Sequence, residues 1–229
     1  THRAYEDIAR TQCSFSLEPI DGAPLAAYRP GQFLTVVLPV AGGEGDAPGD
    51  TRNVTRCYSL SDRDDASHFR ITVKRALAPA DRPSLPAGLA STHLHDQVHE
   101  GDVIRVKAPS GQFVLDPDPT IPAVLIGGGI GITPLMSMLS WSLAEQPERE
   151  VHLFYGVRCG ADHAFKARLE ELAALHATFH LHVVYMAPEA GDVEGRDYQH
   201  TGFVDIALLG RTLPEARQKF YVCGPPVMM

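Results

Sequence analysis

Cysteine is scarce in this chain and nowhere clustered. Four occur among 229 residues, at positions 13, 57, 159 and 223, and none belongs to a Cys-x-x-Cys pair. A chelated iron–sulfur cluster or structural zinc within these residues is therefore not expected. Nor is a secreted disulfide framework, at this length and cysteine density. The thiols read as reduced and the compartment as cytoplasmic. Long hydrophobic runs are missing as well. No stretch approaches the ~20 apolar residues that span a bilayer. The first residues lack a charged segment followed by a hydrophobic one, so no export signal is expected. Positive charge is not gathered anywhere: 28 acids against 20 bases give a net charge of −8. With no Lys/Arg cluster, nucleic acid and anionic membranes are poor partners. Internal repeats and low-complexity tracts are absent too.

The composition that remains, 44% hydrophobic and 21% charged, is that of an ordinary globular protein. At ~100–200 residues per domain the length suits two modules. The first half reads as strands. Cys13, Phe15 and Leu17 alternate with polar residues, and residues 32–38 are β-rich after Pro30-Gly31. Residues 41–51 read as an exposed loop, and residues 79–86 break the pattern again. Short strands are expected at 56–61, 68–75 and 102–108. In the second of these, Phe69, Ile71 and Val73 alternate with Arg70, Thr72 and Lys74. A short helix is expected over 89–98. Six or so strands with one helix suggest a small antiparallel barrel.

The texture changes near Asp116-Pro117-Asp118-Pro119, which places a domain boundary between 116 and 117. Residues 122–126 form an apolar run of the kind buried on both faces. Thr133 is expected to cap the next helix, with Pro134 at its first position. Leu135, Met138, Leu139 and Leu143 give that helix an apolar face. Strands follow at 151–157, 179–185 and 219–223. Asp162 is expected to cap a helix carrying Phe165, Leu169 and Leu172. Alternating strand and helix make the second half a parallel α/β sheet.

Three segments carry chemistry. Gly127-Gly128-Gly129-Ile130-Gly131-Ile132-Thr133-Pro134 joins a buried strand to a helix. Glycines there admit close backbone approach to a pyrophosphate, and the helix terminus offers free N–H groups. The Gly-x-Gly-x-x-Gly spacing and the ribose-binding acid of a classical dehydrogenase are both missing. Arg56-Cys57-Tyr58-Ser59-Leu60 sets a fixed cation, a flat ring and a hydroxyl at a strand end. That set suits an anionic aromatic ligand, although Arg and Tyr also line ordinary barrel strands. Gly88-Leu89-Ala90-Ser91-Thr92 opens a short helix, either as an anion site or as simple capping by Ser91.

In this order the segments resemble the ferredoxin–NADP reductase superfamily, in particular the reductase portions of flavohaemoglobins and of oxygenase-type flavin/iron–sulfur reductases. The resemblance also rests on Tyr28-Arg29-Pro30-Gly31-Gln32-Phe33, Ser61-Asp62, Ile71 to Arg75, Gly101-Asp102, Ala108 to Phe113, Phe154 to Arg158 and Tyr221 to Pro226. It implies an N-terminal antiparallel six-stranded flavin-binding barrel over 1–116 and an NAD(P)-binding α/β domain over 117–229.

By that resemblance, Arg56 holds a flavin phosphate, Tyr58 packs on the isoalloxazine and Ser59 hydrogen-bonds near its reactive nitrogen. Leu60 completes that strand end, and Val73, Lys74 and Arg75 flank the ribityl and adenosine portion. Backbone N–H groups of Gly88, Leu89, Ala90, Ser91 and Thr92 cradle the pyrophosphate, favouring FAD over FMN. Gly128, Gly129, Ile130, Gly131, Ile132, Thr133 and Pro134 receive NAD(P)H. Cys223 lies beside the hydride-donating carbon, and Gly224, Pro225 and Pro226 shape its slot. Position 57, often proline in the family, is cysteine here, with its side chain expected to point away from Tyr58. Arg158 stands where some relatives read a 2′-phosphate, but equivalent arginines occur in NADH users, and the balance leans to NADH.

The resemblance implies an NAD(P)H-dependent FAD oxidoreductase passing electrons to a separate redox partner, or to a fused iron–sulfur or haem domain. One alternative is the reductase part of a flavohaemoglobin-type nitric oxide dioxygenase. A scaffold that has lost its flavin is an alternative of another class, and intact Arg56, Tyr58 and Ser59 argue against it. Histidines at 93, 95, 99, 176, 180, 182 and 200 raise the question of a metal. His180 and His182 alternate on one strand, His93 and His95 share no helical face, and solvated or hydrogen-bonded histidine is the expectation. Relatives continue past Cys223-Gly224-Pro225-Pro226 with a helix and a last strand, so a longer native polypeptide is expected, with any cluster ligands outside these residues.

Overall fold

The computed structural model describes residues 1–41, 51–64, 67–78 and 82–228. Six antiparallel strands come first: β1 (His2–Tyr5), β2 (Gln12–Leu17), β3 (Phe33–Ala41), β4 (Thr51–Ser59), β5 (Phe69–Lys74) and β6 (Arg105–Val106). They form two three-stranded sheets, ordered β1-β2-β5 and β4-β3-β6. A bridge between Leu60 and Ile71 ties one sheet to the other. Both residues are fully buried, so Leu60 closes the barrel seam with its side chain in the core. Cys13, Phe15 and Leu17 point into that core with Leu34, Val36 and Leu38, as period-two alternation requires. Between them Ser14 turns its hydroxyl to Thr72 (2.7 Å), which also meets Ser61 (2.8 Å). Helix α1 (Leu89–Asp96) plugs the barrel with Ala90 and Leu94.

The second unit is a parallel sheet of five strands: β7 (Ala123–Gly128), β8 (Val151–Val157), β9 (Phe179–Tyr185), β10 (His200–Thr201) and β11 (Lys219–Cys223). Their spatial order is β10-β9-β8-β7-β11. Strand β7 is apolar on both faces because both are covered. Leu125 packs under α2 (Ile132–Glu145) and α3 (Lys166–Leu175), whereas Val124 and Ile126 pack with Leu208 of α4 (Ile206–Thr212). Among the described residues no helix is long and apolar enough to cross a membrane.

The structure corrects several local expectations. Strand β1 is present although its sequence shows little pattern; it pairs antiparallel with β2. Strand β4 starts at Thr51, where it closes a ladder with Ala41 of β3; of the expected 41–51 loop, residues 42–50 lie outside the described set. The expected break at 79–86 is described only from 82, where the chain is a turn. Strand β6 shrinks to two residues, because Val103, needed to extend it, is 70% exposed. Thr133 is not a cap. Gly131 takes the N-cap position of α2, and the Thr133 hydroxyl donates to the Ile130 carbonyl (3.0 Å). Asp162 does not cap α3 either. Phe165 occupies that place in a left-handed conformation (φ 58°), and Asp162 accepts from Arg158 instead. β10 and α4 had no sequence signal strong enough to show them.

The two units are locked by main-chain bonds. Phe165 N–H donates to the Glu6 carbonyl (3.0 Å), and Ala9 N–H to Ala161 (3.0 Å). Buried Gln12 donates to the Asp162 carbonyl (3.1 Å), and Asp116 N–H to the Tyr221 hydroxyl (2.9 Å). This docking fixes the cleft between the units.

Candidate active site

The cleft has a volume of ≈ 580 Å³. From the barrel it is lined by Cys57, Tyr58 and Ser59 of β4 and Thr72, Val73 and Lys74 of β5. From the parallel sheet come Gly128, Gly129, Ile130, Gly131, Thr133, Cys223, Gly224 and Pro225. Segments 57–59 and 72–74 on one side and 128–133 and 223–225 on the other thus become opposite walls of one space, as open α/β sheets place ligands outside their carboxyl strand ends. A second concavity of ≈ 500 Å³, walled by Leu17, Ile20, Leu25 and Val103, contains none of the predicted site residues.

Tyr58 is half-buried, its ring packed against the barrel core. Burial raises its hydroxyl pKa, despite the opposing charge of Arg56. Arg56 lies two residues earlier on the same face and is exposed; its guanidinium contacts the Thr55 carbonyl (2.8 Å) and has no ion-pair partner among the described residues. Lys74 is likewise exposed without an ion-pair partner among them. Both cations thus lack a carboxylate partner among the described residues, and both stand on strands that border the cleft.

Helix α1 begins at Gly88 with no side-chain cap, leaving first-turn N–H groups without an intrahelical partner. Ser91 does not cap. Its hydroxyl donates to the Gly88 carbonyl (3.0 Å) and accepts from Ala76 N–H (3.1 Å), pinning the segment before the helix. A Cβ on Gly88 would meet Ala76 Cβ at 2.7 Å, so glycine is required by this crossing. Thr92 Oγ1 is buried with no partner among the described residues.

On the other wall, Gly131 approaches β11 so closely that a Cβ would meet the Cys223 carbonyl oxygen at 2.1 Å. Gly129 has φ +51° with open space beside it. Cys223 is partly exposed, and burial raises its thiol pKa. It is thus a neutral thiol near pH 7, a packing surface rather than a thiolate.

Other predicted residues sit elsewhere. Leu60 and Ile132 are in cores, and the side chain of Val73 is buried, so only its main chain can meet a ligand. Arg75 forms a two-point ion pair with Asp96 (2.9 and 2.5 Å), which raises its pKa and lowers that of Asp96. Gly88 to Thr92, Arg56, Pro134 and Pro226 are not among the residues that line the cleft. Arg158 is exposed at the end of β8, held by Asp162 (2.8 Å) and Glu189 (3.3 Å). The sequence reading missed Thr72 as a wall of the cleft. Cys57, expected to point its side chain away from Tyr58, also borders the same space. Adjacency of β4 and β5 was the signal that could have found both.

The residues fit a flavin dinucleotide: a ring platform at Tyr58, free cations for phosphate, and an uncapped helix start. The cleft also faces a glycine turn at the carboxyl end of β7 in the parallel sheet, and the class is a flavin and nicotinamide oxidoreductase. Residues 13–115 match the oxidoreductase FAD-binding domain family, and residues 125–229 match the oxidoreductase NAD-binding domain family. The chain belongs to the ferredoxin reductase-like FAD- and NAD-binding oxidoreductases. It is 38% identical over 219 residues to a flavohemoprotein of Halalkalibacterium halodurans, covering 96% of this chain and 51% of that one. The flavohem-like FAD/NAD-binding domain of a Vibrio cholerae nitric oxide dioxygenase superposes with TM-score 0.76 at 27% identity. That match covers 98% of this chain and 96% of the other. Phthalate dioxygenase reductase superposes with TM-score 0.68 at 28% identity, covering 100% and 61%. The chain spans about half the length of the curated relatives it matches.

Proposed function

We propose that residues 1–116 hold FAD and residues 117–229 receive a reduced nicotinamide dinucleotide, so that electrons pass across the cleft to an acceptor that takes them singly. The observation that carries this reading is the cleft, where Tyr58 and Ser59 share one space with Gly128 to Gly131, Thr133 and Cys223. Bound there, FAD supplies the exchange between two-electron and one-electron chemistry that no side chain can supply. Arg56 binds a flavin phosphate through charge-assisted hydrogen bonds. Tyr58 covers the ring and excludes water, and the Ser59 hydroxyl hydrogen-bonds beside it. Main-chain N–H groups of Leu89, Ala90 and Ser91 hold the pyrophosphate, with Lys74 adding charge. Thr133 and Cys223 fix the nicotinamide in place, Cys223 through contact alone.

The coenzyme in this reading is NADH. Arg158, the cation at the end of β8, is already held by Asp162 and Glu189. A 2′-phosphate brought there would meet two carboxylates competing for the same guanidinium. The acceptor is a haem group, on the strength of relatives named flavohemoprotein and a structural neighbour named as part of a nitric oxide dioxygenase. An iron–sulfur acceptor is the second reading, supported by phthalate dioxygenase reductase, which is described as transferring electrons from pyridine nucleotides to [2Fe-2S]. The setting is cytoplasmic, with four free thiols. Steady-state turnover of the FAD-loaded protein with NADH or NADPH, against a haem globin and a [2Fe–2S] ferredoxin, tests the whole. Faster reduction of the globin with NADH supports the reading. A preference for NADPH overturns the coenzyme assignment, and one for ferredoxin overturns the acceptor.

A further inference from the structure

Three groups outside the cleft converge at the amino-terminal ends of β8 and β9. His152 and His180 are direct cross-strand partners in the parallel register, and their rings lie 4.5 Å apart at 23°. Glu150, just before β8, reaches His180 with Oε2 to Nε2 at 2.6 Å. One ring nitrogen from each histidine and one carboxylate oxygen all lie within 4.8 Å of one another. His152 is 8% exposed, and its Nδ1 is buried with no hydrogen-bond partner among the described residues. An orphaned buried acceptor or donor is costly, and the ring that carries it stacks on His180, which in turn meets Glu150. The sequence reading expected no metal here, because it compared histidines along one strand. The parallel register adds His152 of the neighbouring strand, with Glu150 just before that strand.

We propose that Glu150, His152 and His180 form a binding site for a zinc-type divalent cation, separate from the flavin cleft. Two imidazoles and one carboxylate are a donor set that Zn²⁺ takes in tetrahedral geometry with water in the fourth position. Mg²⁺ and Ca²⁺ prefer all-oxygen shells and larger donor numbers. Ligands of a tetrahedral zinc stand roughly 3.3 Å apart, given bonds of about 2.0–2.2 Å. The exposed side chains of His180 and Glu150 can close that difference by rotation about their own bonds, while His152 stays fixed in the sheet. The site is distant from the chemistry. His152 lies opposite Val124 of β7, four residues before Gly128 at the cleft, or about 13 Å along the strand. An ion there ties β8 to β9 and to the turn before β8, and it stabilises the folded chain by binding that state selectively.

The test uses the whole FAD-loaded chain, stripped with a chelator and titrated with ZnCl₂ by calorimetry and by thermal unfolding. One equivalent bound with a raised melting temperature is expected, with no rise from MgCl₂. Co²⁺ in place of Zn²⁺ should show the visible d–d bands of a four- or five-coordinate site. His180→Ala and Glu150→Gln should each weaken Zn²⁺ binding at least tenfold. Both residues are on the surface, so folding should survive where His152→Ala endangers it. His176→Ala, at the end of α3, should leave binding unchanged, and NADH should reduce the flavin of His180→Ala at the parental rate. No binding at micromolar ZnCl₂ overturns the site, as does equal binding by the parent, His180→Ala and Glu150→Gln.

Discussion

The turn at Gly131 gives the sharpest test of how the nicotinamide wall is built. In Gly131→Ala the new methyl would stand 2.1 Å from the Cys223 carbonyl oxygen and 2.7 Å from Gly224 N. Both are main-chain atoms, so the collision cannot be relieved by a rotamer change. Relief requires β11 and the turn to separate by roughly 1 Å. Overpacking of this kind costs typically ~1–3 kcal/mol of stability. The functional loss should be larger, because a 1 Å misplacement of positioning groups can cost about 10²-fold in rate. Gly129→Ala provides the contrast. There the methyl meets nothing within 4 Å, and the cost is the left-handed conformation at φ +51°, about 1–2 kcal/mol. Stopped-flow bleaching of bound FAD by NADH, with FAD affinity measured in parallel, reads both variants. Gly131→Ala should reduce its flavin about 10²-fold more slowly than the parent, with FAD affinity unchanged because the proposed flavin contacts lie on the barrel. A Gly131→Ala protein with parental melting temperature and parental bleaching rate would refute the packing argument.

Arg56→Ala should weaken FAD binding by roughly 1.5–3 kcal/mol, the value of a hydrogen bond to a charged group, and Tyr58→Ala by less; equilibrium titration with FAD checks both, and undiminished affinity in each would move the flavin elsewhere. Cys223→Ala should slow flavin reduction more than it raises the KM for NADH, because a protonated thiol can contribute only position; a parental rate would leave Cys223 as a sheet residue alone. Removing the carboxylates that hold Arg158, in Asp162→Asn with Glu189→Gln, should shift preference toward NADPH, read as the ratio of kcat/KM values; an unchanged ratio would show that Arg158 does not face the ribose. His163 is buried, donates or accepts at Tyr185 (2.8 Å), and has its pKa pushed down to about 4 by burial. The unfolded chain therefore binds the extra proton first, so stability holds above pH ~6.5. It falls as pH drops from there toward about 4, by up to roughly 3 kcal/mol. His163→Gln should flatten that slope in urea melts, and an unaltered slope would assign it to other groups.

Much of this was readable from the chain, and the reasons are specific. Strands β8, β9 and β11 were placed to the residue: β8 is an apolar run buried almost throughout, and β9 and β11 are short stretches rich in aromatic and β-branched residues. Helix α1 and the glycine turn after β7 were also legible. The starts of α2 and α3 were not: Gly131 and Phe165 take the cap positions, and a helix opened by a glycine turn or a left-handed phenylalanine has no hydroxyl cap to announce it. Strand β6 was overextended because alternation over 102–108 does not reveal that Val103 stays in solvent. The site residues were legible as separate segments. Their assembly was not, because Thr72 enters the cleft only through the pairing of the two barrel sheets. Glu150, His152 and His180 meet only because β8 and β9 run in register. Contacts made across parallel strands are separated by a whole helix in sequence, beyond the reach of any local pattern.

The central claim is that one cleft brings FAD and NADH together, and the direct measurement is an anaerobic titration of the FAD-reconstituted chain with NADH, followed in the flavin absorption bands. The account predicts a yellow protein that retains FAD through gel filtration and bleaches fully with one equivalent of NADH. A chain that loses its FAD on the column, or keeps it and is bleached by neither NADH nor NADPH, would contradict it.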